Sequence, residues 1–295
     1  MKFLVFIVFL LTFLRGADCS GRLSQQENEK LRRVCGNVPK FEPEKQNHGV
    51  RHGIVNGMPI PGYIAPWSVH LVSAGTNCSG TIISPRHILS ASHCVVENPA
   101  IRQQVLHKST SKCDAKNKDH VYTGDFDEIK VFLSSDRLLH SRIVKLITLN
   151  LCEHYDFWAD DFMILELDED IRYSPFAQPV CTARDTSYNP SGLKIHMYTY
   201  GHNNTELNDN RGVGILRYGT MQIDKLDARG GPYFSVFDRE GRVNMRAGDS
   251  GGGAISYEYG SRYVVGVVSH AINGITYFTS VGHHFEQICT HTGVC

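Results

Sequence analysis

The sequence predicts an all-β protein, a barrel or a sandwich, on two observations. From residue 54 onward, short apolar or alternating runs recur, broken by Gly, Pro, Asn and Asp. No helical periodicity intervenes between them, which argues against the crossover helices of a parallel sheet. At 295 residues the chain is long enough to bury a sizeable core as one large or two modest domains.

In chain order, Lys2 and the apolar run from Phe3 to Leu14 come first. The run is too short to span a bilayer and reads as a secretory signal peptide, residues 1–19, with Ala17 at the −3 position for cutting after Cys19. The expected product is secreted and extracellular, with no membrane attachment once the signal is gone. Residues 20–53 are polar and charged, contain Cys35 and the dibasic pair Arg32-Arg33, and read as a linker or pro-segment with little to build a core from. Candidate strands follow at 67–72, 81–83, 87–91, 129–133, 143–149, 162–167, 194–200, 214–223, 253–257, 263–269 and 276–281. Residues 98–127 are long, polar and lysine-bearing, and read as an inserted surface loop pinned by Cys113. Val281, Phe285 and Ile288 fall at helical spacing and predict one short helix near the end.

Lysine plus arginine and aspartate plus glutamate both total 30, so no net field favours nucleic acid or an anionic membrane. Of nine cysteines, Cys19 falls in the signal. The remaining Cys35, Cys78, Cys94, Cys113, Cys152, Cys181, Cys289 and Cys295 are even in number, as disulfides require, with on the order of 100 possible connectivities. No Cys-x-x-Cys or His-Glu-x-x-His pattern is present, so neither a metal nor another cofactor is expected.

Three stretches carry chemistry. Ala247-Gly248-Asp249-Ser250-Gly251-Gly252-Gly253 exposes a serine on a glycine-rich turn whose amides can converge on a developing oxyanion. Ser90-Ala91-Ser92-His93-Cys94 supplies an imidazole, and Asp160-Asp161-Phe162-Met163-Ile164-Leu165 supplies carboxylates. A serine hydroxyl needs a base to become a nucleophile near neutral pH, and the imidazole needs a buried carboxylate to set its tautomer. Asp161 is preferred to Asp160 because it directly precedes the apolar strand.

These three boxes, in the order His, Asp, Ser, resemble those of the chymotrypsin/trypsin-like serine protease family, as do Pro66-Trp67-Ser68-Val69 and Cys78-Ser79-Gly80-Thr81-Ile82-Ile83. The resemblance covers residues 54–286 and narrows the fold to two six-stranded antiparallel β-barrels with a short C-terminal helix, the domain occupying 54–295. It implies a secreted endopeptidase that cleaves peptide bonds through an acyl-enzyme, without cofactor or metal. Ser250 would be nucleophile, His93 base and then acid, and Asp161 the orienting carboxylate. The amides of Gly248 and Ser250 would form the oxyanion hole. The implied partners are protein or peptide substrates, an activating protease and protein inhibitors, with the chain a monomer.

The resemblance also implies disulfides Cys78–Cys94, which would hold His93 rigidly, and Cys35–Cys181, which would tether the pro-segment. Cys113 is then left with Cys152, and Cys289 with Cys295. Activation in the family frees an Ile-Val amine that pairs with the aspartate before the nucleophile, here Ile54 and Asp249. The residue before Ile54 is Gly53, unlike a trypsin-type cleavage site, and the nearest basic residue is Arg51. Where trypsin carries the aspartate that meets a substrate Lys or Arg, this chain has Asn244, which has no charge. Arg246 replaces the pocket cysteine, and His270-Ala271-Ile272 follows Ser269 in place of Trp-Gly. A reshaped pocket involving Asn244, Ser269 and Ala271 is expected. Gly253 and the Cys289–Cys295 spacing resemble a divergent branch such as that of nematodes. Asn77 and Asn203 lie in glycosylation sequons, Asn203 in the more polar context. Two rival readings are a catalytically silent homologue acting as a binding protein and a disulfide-rich adhesion or defence module. The second leaves the triad order unexplained.

Overall fold

The computed structural model describes residues 21–39, 57–96, 98–114, 116, 118–152, 160–202, 214–228, 232–237 and 245–295. The signal residues 1–19, Ile54, Asn203 and Asn244 lie outside the described residues. A helix, α1 (Gln25–Val34), precedes β1 (Met58–Pro59), β2 (Ser68–Ser73), β3 (Thr76–Ile82) and β4 (His87–Ser90). Next come α2 (His93–Val96), α3 (Pro99–Leu106), β5 (Thr110–Asp114), β6 (Asp119–Thr123), β7 (Ile129–Phe132), β8 (Ile143–Thr148) and β9 (Met163–Leu167). The second half holds β10 (Cys181–Thr182), β11 (Lys194–Thr199), β12 (Arg217–Ala228), β13 (Tyr233–Phe237), β14 (Gly253–Glu258), β15 (Ser261–Ile272), β16 (Ile275–Ser280) and α4 (Phe285–Thr292).

The second half forms a closed six-stranded barrel, β12-β11-β14-β15-β16-β13, sealed because β13 also pairs with β12. The strands β1 and β10 add to it, on β12 and β15. The first half is a sheet of order β7-β2-β3-β4-β9-β8, continued by β6 and β5. Two apolar cores form: one lies within the first half, and the other fills the barrel and reaches across to Trp67, Ile83, Leu89 and Phe162 of the first half. Alternation explains the strands: one face buries side chains that each stabilise by roughly 1.5–3 kcal/mol, and the other meets solvent or a neighbouring element. In the barrel, Phe234 and Phe278 stack at 5.1 Å. A Cβ on Gly266 would lie 2.5 Å from the Phe234 ring. The β15–β16 hairpin closes through Asn273-Gly274, both at positive φ (53° and 78°), the geometry that suits a two-residue turn between twisted strands.

Residues 98–127, expected to be a surface loop, build α3 and the β5–β6 hairpin instead. Asn98 caps α3 by accepting from Ala100 and Ile101 amides, with Pro99 at the first turn. The strand β6 pairs with β8, and Val105, Tyr122 and Phe126 enter the first core, so burial overrides the polar composition. Cys113 is bonded to Cys152.

The polar segment before residue 54 also has more structure than its composition suggests. Ser24 and Glu27 form a capping box, and Leu23, Leu31 and Cys35 join the core of the second half. Glu27 pairs with Arg86, Leu23 N donates to Thr292 O, and Cys35 is bonded to Cys181. Gly21 N reaches Glu166, a buried carboxylate that also holds Lys145 at 2.7 Å. The C-terminal helix α4 ends at Gly293 (φ 72°), and Cys289 is bonded to Cys295. Asp119, fully buried, ties this helix to the first sheet. It accepts from Gln287 Nε2 (2.8 Å), Asn150 N (2.9 Å) and His291 Nε2 (2.6 Å).

Strands β2, β3 and β11 meet between the two halves. Ser68 Oγ donates to Tyr198 O (2.8 Å), Tyr200 N donates to Ser79 Oγ (3.1 Å), and Tyr200 Oη donates to Ser68 O (3.2 Å). Buried polar bonds of this kind set the relative placement of the halves, since each partner is costly to leave unpaired. Among the described residues no helix is long and apolar enough to cross a membrane.

Candidate active site

Both His93 and Asp161 sit at strand ends along the seam. His93 opens α2 just after β4, and Asp161 stands just before β9, which pairs with β4. Asp161 has φ 45°, a left-handed conformation uncommon outside glycine, which turns the chain as it enters the strand. Its Oδ2 accepts from His93 Nδ1 at 2.8 Å and from Ser269 Oγ at 2.5 Å. Its Oδ1 accepts from the His93 amide (2.9 Å) and Ser92 Oγ (3.0 Å). Burial alone would raise this carboxyl, but the His93 charge and the hydrogen bonds from His93 and Ser269 outweigh it and hold it below the usual carboxylate range. Nδ1 is committed to Asp161, so a base role for this imidazole would fall to Nε2. The neighbouring Asp160 faces elsewhere: its carboxylate takes Asn150 Nδ2 and lies 3.9 Å from His284 Nε2.

Ser250 is brought to the same seam through its main chain. Ser79 N donates to Ser250 O (2.8 Å), and Ser79 Oγ donates to Gly248 O (2.8 Å). Ser79 follows Cys78, which is bonded to Cys94, the residue after His93. The serine turn is therefore hydrogen-bonded to a strand that a disulfide joins to the residue after the histidine. A Cβ on Gly251 would lie 2.1 Å from Ser90 Oγ, so glycine is what lets the serine turn close on β4. The Ser250 hydroxyl is half-buried and forms no hydrogen bond among the described residues.

The glycine turn also orients donors. Ala247 O accepts from His202 N at 3.0 Å, and because C=O and N–H oppose each other in a trans peptide, the Gly248 N–H points away from that contact. Neither the Gly248 nor the Ser250 amide has a main-chain acceptor among the described residues. Gly248 has φ 95°, and a Cβ there would lie 2.9 Å from Gly201 Cα.

Asp249, fully buried, points the other way. It accepts from Thr199 Oγ1 (2.6 Å), Gly201 N (3.1 Å) and Arg246 N (2.8 Å). Burial dominates these bonds and pushes the carboxyl up to about 7. The folded state then keeps a proton that the unfolded chain has lost, so this group makes stability fall as pH rises from about 4 to 7, by roughly 4 kcal/mol. Urea unfolding at pH 4.5 and 7 should show that slope, and Asp249→Asn should flatten it. An unchanged slope in the variant would assign the pH dependence to other groups.

Other predicted residues are more scattered. The Ser269 hydroxyl is committed to Asp161, and Ala271 is exposed on β15. The pocket wall expected near them is the continuous β15–β16 hairpin, with His270 stacked on Tyr277 at 4.8 Å. Asn77 lies within β3, its Oδ1 2.9 Å from His70 Nε2. The two sulfurs of Cys78 and Cys94 lie within 4.8 Å of a His93 ring nitrogen, but their mutual bond leaves no thiolate to ligate a metal. A cavity of about 250 Å³ beneath α1, lined by Leu31, Arg32, Val180 and Tyr263 among others, includes none of His93, Asp161 and Ser250. Sequence reasoning missed Ser79, Ser92 and Thr199. Ser79 and Ser92 lie inside boxes already singled out, whereas nothing local marks Thr199.

Among curated proteins the chain is similar to mannan-binding lectin serine protease 1 of Mus musculus, 27% identical over 269 residues, covering 82% of this chain and 35% of that protein. It is also similar to coagulation factor IX of Cavia porcellus, 23% identical, covering 69% of this chain and 67% of that one. The chain thus spans about a third of the first relative's length. Among solved structures it resembles the scabies mite inactivated protease paralogue S-I1, with TM-score 0.58 and 16% identity over 79% of this chain and 98% of that one. That likeness supports the fold, which is chymotrypsin/trypsin-like. A family model described as the Nematode trypsin-6-like family matches residues 4–295, and the chain belongs to that trypsin-like serine protease family.

Proposed function

We propose that this protein is a secreted serine endopeptidase, made with a signal at 1–19 and a pro-segment at 20–53, whose domain at 54–295 hydrolyses peptide bonds. The observation that carries this is the Asp161 carboxylate, which accepts from Ser92, Ser269 and two nitrogens of His93 and so fixes the imidazole for one task. His93 Nε2 takes the Ser250 proton as the oxygen attacks the scissile carbonyl. The oxyanion forms against the Gly248 and Ser250 amides, each donor contributing ~3 kcal/mol. The imidazolium then protonates the leaving amine, and water repeats the sequence on the acyl-enzyme.

Freeing Ile54 would place an ammonium against Asp249, lowering its carboxyl and reversing the pH slope above. The Cys35–Cys181 bond and the docked α1 would keep the pro-segment attached after the cut. Without a carboxylate at Asn244, preference for Lys or Arg is not expected. Asn203 is the proposed glycan acceptor, since Asn77 is engaged in the sheet. One observation favours a binding role without hydrolysis, namely the closed β15–β16 hairpin where a substrate pocket is expected.

A fluorophosphonate probe decides between them. The trimmed protein should carry the adduct on Ser250, and Ser250→Ala should carry none. Folded, trimmed protein that stays unlabelled would overturn the endopeptidase reading in favour of the silent homologue.

A further inference from the structure

A second imidazole is wired to the triad carboxylate. His270 Nδ1 lies 2.9 Å from Ser269 Oγ, and the same oxygen lies 2.5 Å from Asp161 Oδ2. The proton order along this line follows from the donor inventory. Ionised Asp161 only accepts, so the Ser269 hydroxyl must donate to it. Ser269 Oγ then offers only lone pairs to His270, whose Nδ1 must carry the hydrogen. The reverse order would set two bare oxygens against each other at 2.5 Å in a buried site.

The ring is held for this contact from two sides. Tyr277 on β16 stacks on it at 4.8 Å, and Tyr233 on β13 meets it edge-on at 6.0 Å. A register shift between Val268 and His270 lets Ser269 turn onto Asp161 while His270 stays on the ladder opposite Tyr277. Tyr233 also hydrogen-bonds Ser269 and Thr279; burial, then the charges of Asp161 and Asp160, raise its phenol, so it stays neutral where an imidazole titrates.

We propose that His270 is a positioning residue: by donating from Nδ1 to Ser269 it fixes the Ser269 proton on Asp161 and steadies the carboxylate that orients His93, three hydrogen bonds away. This rests on the endopeptidase reading for its catalytic consequence, but not for its test.

That test is proton NMR of the His93 Nδ1–H in the full chain, alongside the pH profile of kcat/KM on a peptide substrate. In wild type one low-field resonance should report the Asp161–His93 bridge. In His270→Phe, which removes the donor to Ser269, that resonance should move and the acid limb of the profile should shift by roughly half a pH unit. His270→Gln, which keeps an N–H donor, should restore both, and His270→Ala gives the same reading as Phe if the Phe variant fails to fold. A wild-type resonance and profile in the folded Phe or Ala variant would overturn the proposal. Absence of hydrolysis with the resonance shift present would instead overturn only the endopeptidase reading.

Discussion

Asp161→Asn is expected to lower kcat by about 10⁴-fold, the loss that the same change produces in the trypsin-like template. The reason here is the donor count around the carboxylate. Four donors from Ser92, Ser269 and His93 converge on its two oxygens. An amide supplies one accepting oxygen and turns its NH₂ toward donors, so whichever way it flips, one side faces donor against donor. If the NH₂ meets His93, Nδ1 must become the acceptor and Nε2 carries the hydrogen, which leaves no base for Ser250. Single-turnover hydrolysis of a peptide substrate, with circular dichroism to establish folding, measures the effect. Activity within tenfold of wild type would mean that this carboxylate does not set the tautomer.

Asp119→Ala should be the most damaging single truncation outside the site, costing about 3–5 kcal/mol. The carboxylate is fully buried and satisfies three donors from two parts of the chain. Removing it strands the His291 side chain of α4 and the Asn150 amide, leaves Gln287 with Asn150 Oδ1 alone, and loosens the helix from the first sheet. The conservative Asp119→Asn should cost less, because its oxygen can still serve the Asn150 amide and Gln287. Urea midpoints at constant m-value report the difference. Equal stability of Asp119→Ala and wild type would show that water replaces the carboxylate, and that α4 is held by its apolar face alone.

What could be read before any coordinates were local. The Gly248–Gly253 box announces itself because a serine needs glycine neighbours to turn this tightly. Asp161 was separable from Asp160 by its place against the apolar strand, and in the structure the two carboxylates do face opposite ways. The alternating runs from 54 onward marked the strands because a half-buried strand has a period of two. The α1 capping box, Ser24 to Glu27, was also present in the sequence and passed over amid the polar composition. By contrast, β5 and β6 become strands only because β8 offers an open edge for them to extend.

The sequence by itself determined an all-β chain, the serine, histidine and aspartate boxes and the family they point to, since these depend on residue type, spacing and short-range backbone freedom. Tertiary structure alone decided that Thr199 cages Asp249, that Ser269 serves Asp161, that His270 joins that line and that α1 docks beside α4. Each of those is a hydrogen bond or packing contact whose strength depends on burial, and burial is a property of the folded neighbours and not of the residue.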